Sequence, residues 1–126
     1  MDTIILVVDS NRFDCSSVAQ LCRSNIEKVW VETARNLDVA IASCRRFPPS
    51  IVIIDPKFFT STAGELFELF LRSLGGAKLL VFGDRLDELT LLRISRGGVS
   101  GYVLKKECPT PPLGAIIVRV MLGERV

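Results

Sequence analysis

The amino-acid sequence predicts an α/β protein built on one parallel β-sheet with helices on both faces. Two observations lead to this prediction: short apolar runs recur along the whole chain, and the segments between them have the spacing of amphipathic helices. Such an alternation is typical of folds in which helices connect neighbouring parallel strands. With 126 residues, the chain is expected to form one domain.

Five apolar runs are the predicted strands. The first run is short and rich in β-branched residues, so we expect a strand that is buried on both faces. The pair Pro48-Pro49 marks a turn before the third run, and Gly101 precedes the fifth. In chain order, the runs are Ile4–Val8, Val29–Val31, Ile51–Ile54, Leu79–Phe82 and Tyr102–Leu104.

Five segments between and after these runs are the predicted helices. Ser10 or Asn11 is expected to cap the first, while Gly75-Gly76 and Gly97-Gly98 are expected to end the third and fourth. The apolar faces of the five segments comprise Val18, Leu21, Cys22 and Ile26; Leu37, Ala40, Ile41 and Cys44; Leu66, Leu69, Phe70 and Leu74; Leu86, Leu89, Leu92 and Ile94; and Ile116, Ile117 and Val120.

The composition excludes several classes of function. The chain has no histidine, which rules out histidine-based catalytic triads, imidazole metal sites and histidine pH switches. The net charge of +2 is too balanced to indicate nucleic acid or a membrane surface as a direct partner. The four cysteines form no C-x-x-C pair, and Cys22 and Cys44 lie on apolar helix faces, so buried thiols in a reducing compartment are expected. We therefore expect a cytoplasmic domain without a membrane span.

Polar residues follow the predicted strands at the points where these strands end. Asp9 follows the first run, Asp55 the third, Gly83 and Asp84 the fourth, and Lys105 the fifth. Because the carboxyl ends of parallel strands meet at one edge of a sheet, we expect these residues to lie close together. Taken alone, either Asp9 or Asp84 could instead be a helix cap, and Lys105 could be a solvated loop residue.

Asp55 is the most informative of these residues, because it directly follows four buried aliphatic residues. A buried carboxylate is costly unless a cation or hydrogen bonds compensate its charge. Mg²⁺ held by Asp9 and Asp55, with Lys105 nearby, would provide this compensation. Such a site suits phosphoryl transfer to a carboxylate.

Three segments carry a resemblance to a known family: Val7-Val8-Asp9, Ile53-Ile54-Asp55 and Gly101–Lys105. In order, spacing and strand context, they resemble the motifs of response-regulator receiver domains, which have the CheY-like fold. The resemblance covers residues 1–126. It implies a flavodoxin-like (βα)5 sandwich, with a five-stranded parallel sheet in the order 2-1-3-4-5 and helices on both faces.

The resemblance also implies roles for individual residues. Asp55 would accept a phosphoryl group from the histidine of a sensor kinase, and Lys105 would pair with the phosphate. Asp9 and Asp55, with the backbone carbonyl of Lys57, would hold Mg²⁺. Tyr102 matches the aromatic residue whose rotamer reports the active state. A receiver of this kind is a signalling module and not an enzyme.

Several positions depart from the pattern of the family. Ser10 replaces the second residue of an acidic pair, so it would be a weak metal ligand and Mg²⁺ binding is expected to be weak. Gly83 lacks the hydroxyl that bonds the phosphoryl group in receivers, and Asp84 places a negative charge beside it. Pro56 follows Asp55 directly, whereas the family has a proline four residues on. We therefore predict that phosphorylation is absent, weak or uncoupled from Tyr102.

Asp84 suggests a second hypothesis. Its carboxylate could lie near Lys105 and hold this lysine in an ion pair that does not depend on phosphate.

The segment Leu113–Val126 resembles the last receiver helix of NarL/LuxR-type transcriptional regulators. This resemblance implies that a helix-turn-helix domain follows in a longer protein and alone contacts DNA, although a single-domain receiver remains an alternative. It also implies a homodimer, formed through a face that would contain Leu86, Leu91, Tyr102, Val118 and Met121.

Two other functions are alternatives to that of a phosphorylated receiver. One is a pseudo-receiver that acts as a phosphorylation-independent dimerisation or protein-interaction module. The other is a flavodoxin-like cofactor binder, which is disfavoured because the loop after the first strand, Asp9–Arg12, contains no glycine to cradle a phosphate.

Overall fold

The computed structural model describes residues 3–59, 64–84, 92, 98–105 and 113–123. Within these ranges it contains five strands, four helices and one 3-10 turn. In chain order they are β1 (Thr3–Val8), α1 (Arg12–Asn25), β2 (Val29–Ala34), α2 (Leu37–Arg46), β3 (Ile51–Ile54), the 3-10 turn (Pro56–Phe59), α3 (Gly64–Ser73), β4 (Lys78–Gly83), β5 (Gly101–Leu104) and α4 (Leu113–Met121).

The five strands form one parallel sheet in the order β2-β1-β3-β4-β5. This is the predicted order, and all five predicted strands are confirmed. The second strand is longer than its apolar run, because Glu32, Thr33 and Ala34 continue the pairing with β1. Of the fourth predicted helix, Leu86 to Ile94, only Leu92 falls within the described residues.

The core lies in two layers, one on each face of the sheet. Successive strand residues point to opposite faces, so Ile5 and Val7 pack against α1 and α4, while Leu6 and Val8 pack against α2 and α3. All four of these β1 residues are buried, which confirms the predicted two-sided burial. No helix within the described ranges is long and apolar enough to cross a membrane.

The helix termini follow the expected capping chemistry. Asn11 caps α1 through its side-chain oxygen, which accepts hydrogen bonds from the backbone N–H groups of Phe13 and Asp14. Asn36 caps α2 in a similar way, by accepting from the Val39 N–H. The cap at Asn11 fixes the first turn of α1 beside the carboxyl end of β1, which is where the candidate site lies.

Candidate functional site

Two buried aspartates lie side by side at the carboxyl edge of the sheet. The β1–β3 register pairs Val8 with Ile54, so the next residue on each strand is an aspartate. The Asp9 N–H donates to the Ala34 carbonyl oxygen at 3.0 Å, and the Asp55 N–H donates to the Val8 carbonyl oxygen at 2.9 Å. These hydrogen bonds extend the strand ladders by one residue and thereby fix both aspartate backbones.

Lys105 lies between these carboxylates. Its Nζ is 2.8 Å from Asp9 Oδ2 and 3.1 Å from Asp55 Oδ2. The remaining oxygens also have donors, because Asp9 Oδ1 accepts from the Asn11 N–H at 3.0 Å and Asp55 Oδ1 accepts from the Lys57 N–H at 2.8 Å. Both buried carboxylates are therefore fully hydrogen-bonded, as burial of a charged group requires.

Asp14 supplies a third carboxylate that our sequence reasoning missed. Its Oδ2 lies 2.9 Å from the Lys105 Nζ. Asp14 is in the first turn of α1, where an acidic residue is readily explained by the helix dipole alone. The position of Asp14 in the sequence could have predicted this contact. The helix that follows β1 begins at the carboxyl edge of the sheet, next to Asp9, so side chains in its first turn can reach the site.

The environment of Lys105 stabilises its charged form. Burial by itself lowers the pKa of this lysine, but its hydrogen bonds to the three carboxylates outweigh burial and raise the pKa above its ordinary value. The ammonium also lies 6.0 Å from the centre of the Phe82 ring, whose face attracts a cation. Lys105 is therefore a permanent cation at this edge of the sheet.

Asp84 does not pair with Lys105, so the hypothesis of an ion pair between them is wrong. The carboxylates that form ion pairs with Lys105 in the described part of the chain are those of Asp9, Asp14 and Asp55. Asp84 is exposed, and its backbone carbonyl accepts a hydrogen bond from the Tyr102 hydroxyl. Asp14 reaches the lysine instead, because α1 starts beside Asp9.

Tyr102 is half-buried and packs against the core layer that contains α2 and α3. Burial raises the pKa of its hydroxyl, and the negative charges of Asp84 and Asp55 raise it further. Its hydrogen bond to the Asp84 carbonyl ties β5 to the end of β4. Since this contact uses backbone of residue 84, it does not depend on the Asp84 side chain.

Gly83 and Pro56 pack against each other, which connects two departures that were noted separately in the sequence. A Cβ atom at residue 83 would overlap Cδ of Pro56 and lie 2.5 Å from its Cγ. Both residues are buried. The proline ring therefore takes up the space that a side chain at position 83 would need.

The chemistry of the site suits a hard cation, although its geometry favours the lysine. Asp9 and Asp55 offer carboxylate oxygens, which Mg²⁺ prefers, whereas Ser10 is exposed and offers only a neutral oxygen. Among the described residues, no group of three or more acidic, cysteine or histidine side chains is arranged to hold a metal ion. The Lys105 ammonium already compensates the negative charges of the two buried carboxylates.

Comparisons with known proteins agree with this fold. The chain is 28% identical over 101 residues to the transcriptional regulatory protein LnrK of Bacillus subtilis (strain 168), a match that covers 80% of the chain and 46% of LnrK. It thus spans about half of that protein's length. No family model matches the chain.

Two solved structures illustrate the structural likeness. A LuxR-family two-component response regulator from Aurantimonas sp. SI85-9A1 superposes with a TM-score of 0.79 at 24% identity, over 99% of this chain and 89% of that one. The isolated REC domain of RcsB from Salmonella enterica serovar Typhimurium was solved with phosphomimetic BeF3-. It superposes with a TM-score of 0.79 at 16% identity, over 100% of this chain and 93% of that one.

A third structure is a Burkholderia pseudomallei response regulator with a phosphorylated aspartic acid, a calcium ion and citrate. It gives a TM-score of 0.73 at 19% identity, over 95% of this chain and 66% of that one. The strand order, the two-layer core and these likenesses lead to one conclusion: the chain has the fold of a response-regulator receiver domain.

Proposed function

We propose that this chain is the receiver domain of a transcriptional response regulator, in which Asp55 accepts a phosphoryl group from the histidine of a sensor kinase. The observation that carries the proposal is the buried Asp55 carboxylate, which lies 3.1 Å from the Lys105 ammonium with Asp9 alongside. The likeness to LnrK and to the LuxR-family regulator supports a role in transcription.

In the proposed reaction, an Asp55 carboxylate oxygen attacks the phosphorus and forms an acyl phosphate. The bond from phosphorus to the histidine nitrogen breaks, and its electron pair leaves with the imidazole. Lys105 is placed to neutralise charge on the phosphoryl oxygens. Asp9, Asp55 and the Lys57 carbonyl would hold a weakly bound Mg²⁺, which supplies further charge neutralisation when bound.

The packing at Gly83 supports a weak or uncoupled response. A hydroxyl at the end of β4 would bond the phosphoryl group, but residue 83 has no side chain and the Pro56 ring occupies the adjacent space. The phosphoryl group would therefore lack the contact that pulls the following loop inward. Tyr102 is already hydrogen-bonded to the Asp84 carbonyl without phosphate.

Acetyl phosphate with Mg²⁺ tests the acceptor assignment. We expect slow, substoichiometric phosphorylation, detected as a mass increase of the intact protein and mapped to Asp55. Asp55→Asn should abolish it, whereas Asp38→Asn, which changes an aspartate in the first turn of α2, should not. Modification that persists in Asp55→Asn would refute the acceptor role, and rapid stoichiometric modification would refute the weak response.

A phosphorylation-independent interaction module is the second candidate. It is favoured by the three carboxylate contacts of Lys105, which compensate the buried charges without a metal or phosphate. Beryllofluoride with Mg²⁺ separates the two candidates by light scattering. A change in oligomeric state supports the switching receiver, whereas identical scattering together with absent phosphorylation supports the constitutive module.

The proposed receiver function implies three partners. A sensor kinase would supply the phosphoryl group, a second copy of the chain would form a homodimer, and DNA would be bound only through a helix-turn-helix domain outside these residues. Of the proposed dimer face, Val118 is exposed, while Met121 and Tyr102 are partly buried against the core. Leu86 and Leu91 lie outside the described residues.

A further inference from the structure

The third carboxylate at Lys105 differs from the other two in its exposure. The Asp14 side chain is 42% exposed, whereas those of Asp9 and Asp55 are 4% and 5% exposed. Among the lysine's partners in the described part of the chain, Asp14 is thus the one that water reaches readily. Its backbone is fixed, because the Asn11 side chain accepts a hydrogen bond from the Asp14 N–H at 3.1 Å.

The hydrogen-bonding capacity of Lys105 is used up in this arrangement. An ammonium group has three N–H donors, and three carboxylates lie within hydrogen-bond distance of it. A phosphoryl oxygen that is to bond Lys105 must therefore displace a carboxylate. Asp9 and Asp55 would lose a charged partner in a buried setting, whereas Asp14 can exchange the lysine for water at lower cost.

The negative charge of Asp14 also opposes the binding of an anionic phosphoryl donor. Three carboxylates around one ammonium leave an excess of negative charge at the place where an anionic phosphoryl donor would arrive. Like charges at this range oppose binding, and the effect is stronger beside buried groups than in bulk water. Both the occupied donor and the negative charge make the site less receptive to an anion.

We propose that Asp14 is a positioning residue that holds Lys105 in the phosphate-free site and opposes the entry of the phosphoryl group, so that it must release the lysine before Asp55 is modified. The inference rests on the proposed role of Asp55 as acceptor. The contact between Asp14 and Lys105 would thus weaken phosphorylation of Asp55 separately from the missing hydroxyl at residue 83.

A purely structural role for Asp14 is the competing explanation, because an acid in the first turn stabilises any helix. Asp38 is the matched control: it also lies in the first turn of a helix capped by asparagine, and Lys105 is not its partner. Asp14→Asn and Asp38→Asn should therefore lose similar helix-dipole stabilisation, and they differ in the contact with Lys105.

The test measures phosphorylation of the intact chain by acetyl phosphate at saturating Mg²⁺. We expect Asp14→Asn to lower the half-saturating acetyl phosphate concentration and the beryllofluoride concentration for half-maximal binding by about three- to tenfold. Asp38→Asn should leave both unchanged, and Asp14→Glu, which keeps the charge, should remain close to the unsubstituted protein. Equal values for Asp14→Asn and Asp38→Asn would overturn the inference.

A second measurement distinguishes failure of this inference from failure of the acceptor role. The ¹H–¹⁵N signal of the Lys105 ammonium, assigned by its loss in Lys105→Arg, should be sharp in the unsubstituted protein and broadened in Asp14→Asn. If acetyl phosphate modifies neither protein, the acceptor role of Asp55 fails. The ammonium signal and the beryllofluoride titration then decide the inference: a signal that stays sharp in Asp14→Asn overturns it.

Discussion

At the scale of single residues, Lys105 determines whether two buried carboxylates are tolerated. Asp9 and Asp55 are almost fully buried, and each uses one carboxylate oxygen on the lysine and the other on a backbone N–H. Removing the cation would leave two negative charges facing each other in a poorly solvated site. Breaking a buried ion pair by removing one partner is strongly destabilising for this reason.

Lys105→Met should therefore lower the free energy of unfolding by about 3 kcal/mol at neutral pH. Urea denaturation followed by circular dichroism measures this loss. Lys78→Met, at an exposed position on β4, is the matched control and should change stability by about 0.5 kcal/mol or less. Equal losses in the two variants would show that the lysine does not compensate the buried charges.

At the scale of elements, the contact between the end of β4 and the 3-10 turn joins two unusual residues into one feature. The turn begins at Pro56, directly after Asp55, and the proline ring lies against Gly83. The backbone of Gly83 is not in the left-handed region, so steric contact with Pro56, and not backbone conformation, demands glycine there.

Gly83→Ala should destabilise the protein by about 1–3 kcal/mol, because the added methyl group overlaps the proline ring. In a Pro56→Ala background the same substitution should cost at least about 1 kcal/mol less, since the obstructing ring is gone. Chemical denaturation of the four proteins in this double-mutant cycle gives the coupling.

Gly64→Ala is the control for this cycle. A Cβ atom at residue 64, at the start of α3, meets nothing within 4 Å, so the substitution should be neutral or stabilising by up to about 1 kcal/mol. Additive effects at residues 56 and 83 would contradict the proposed steric link between β4 and the turn.

At the scale of the whole molecule, the site depends on the complete sheet. Within the described residues, the three carboxylates that bind Lys105 are 96, 91 and 50 residues away along the chain. No local segment can therefore assemble the cluster, and global unfolding removes it. Global stability in turn depends on groups outside this cluster, among them the buried Cys22 thiol of α1.

Alkaline pH should weaken the fold through Cys22. Burial raises the pKa of this thiol to about 11, so the unfolded chain loses the proton at lower pH than the folded one. The contribution of Cys22 to stability should be constant below about pH 8.5 and fall by about 2 kcal/mol as the pH rises toward 11. Urea denaturation from pH 7 to 10.5 measures the slope, which should be smaller in Cys22→Ala. An unchanged slope would contradict this assignment.

The sequence predicted the strands well because each central strand is buried on both faces and must be apolar throughout. It also placed Asp9, Asp55 and Lys105 together, since parallel strands carry their carboxyl ends to one edge. Asp14 escaped prediction because a first-turn acid has a sufficient local explanation. The predicted ion pair between Asp84 and Lys105 was wrong because sequence order does not reveal which carboxylate a long lysine side chain will contact.

The contact between Pro56 and Gly83 was also beyond sequence reasoning, because the two residues lie on separate elements and each looked like an independent departure. Only the register of β3 and β4, which pairs Ile54 with Val81, brings them together. Composition and periodicity contain no information on such a contact.

The packing of Pro56 on Gly83 also restricts the order in which substitutions could accumulate at this site. A serine or threonine at residue 83 is obstructed while the proline ring is present. Loss of Pro56 alone leaves a gap beside the glycine, which carries its own cost. Introduction of a hydroxyl at residue 83 therefore requires two dependent changes, with a less stable intermediate whichever comes first. Libraries that vary single positions would miss it, and residues 56 and 83 have to be varied together.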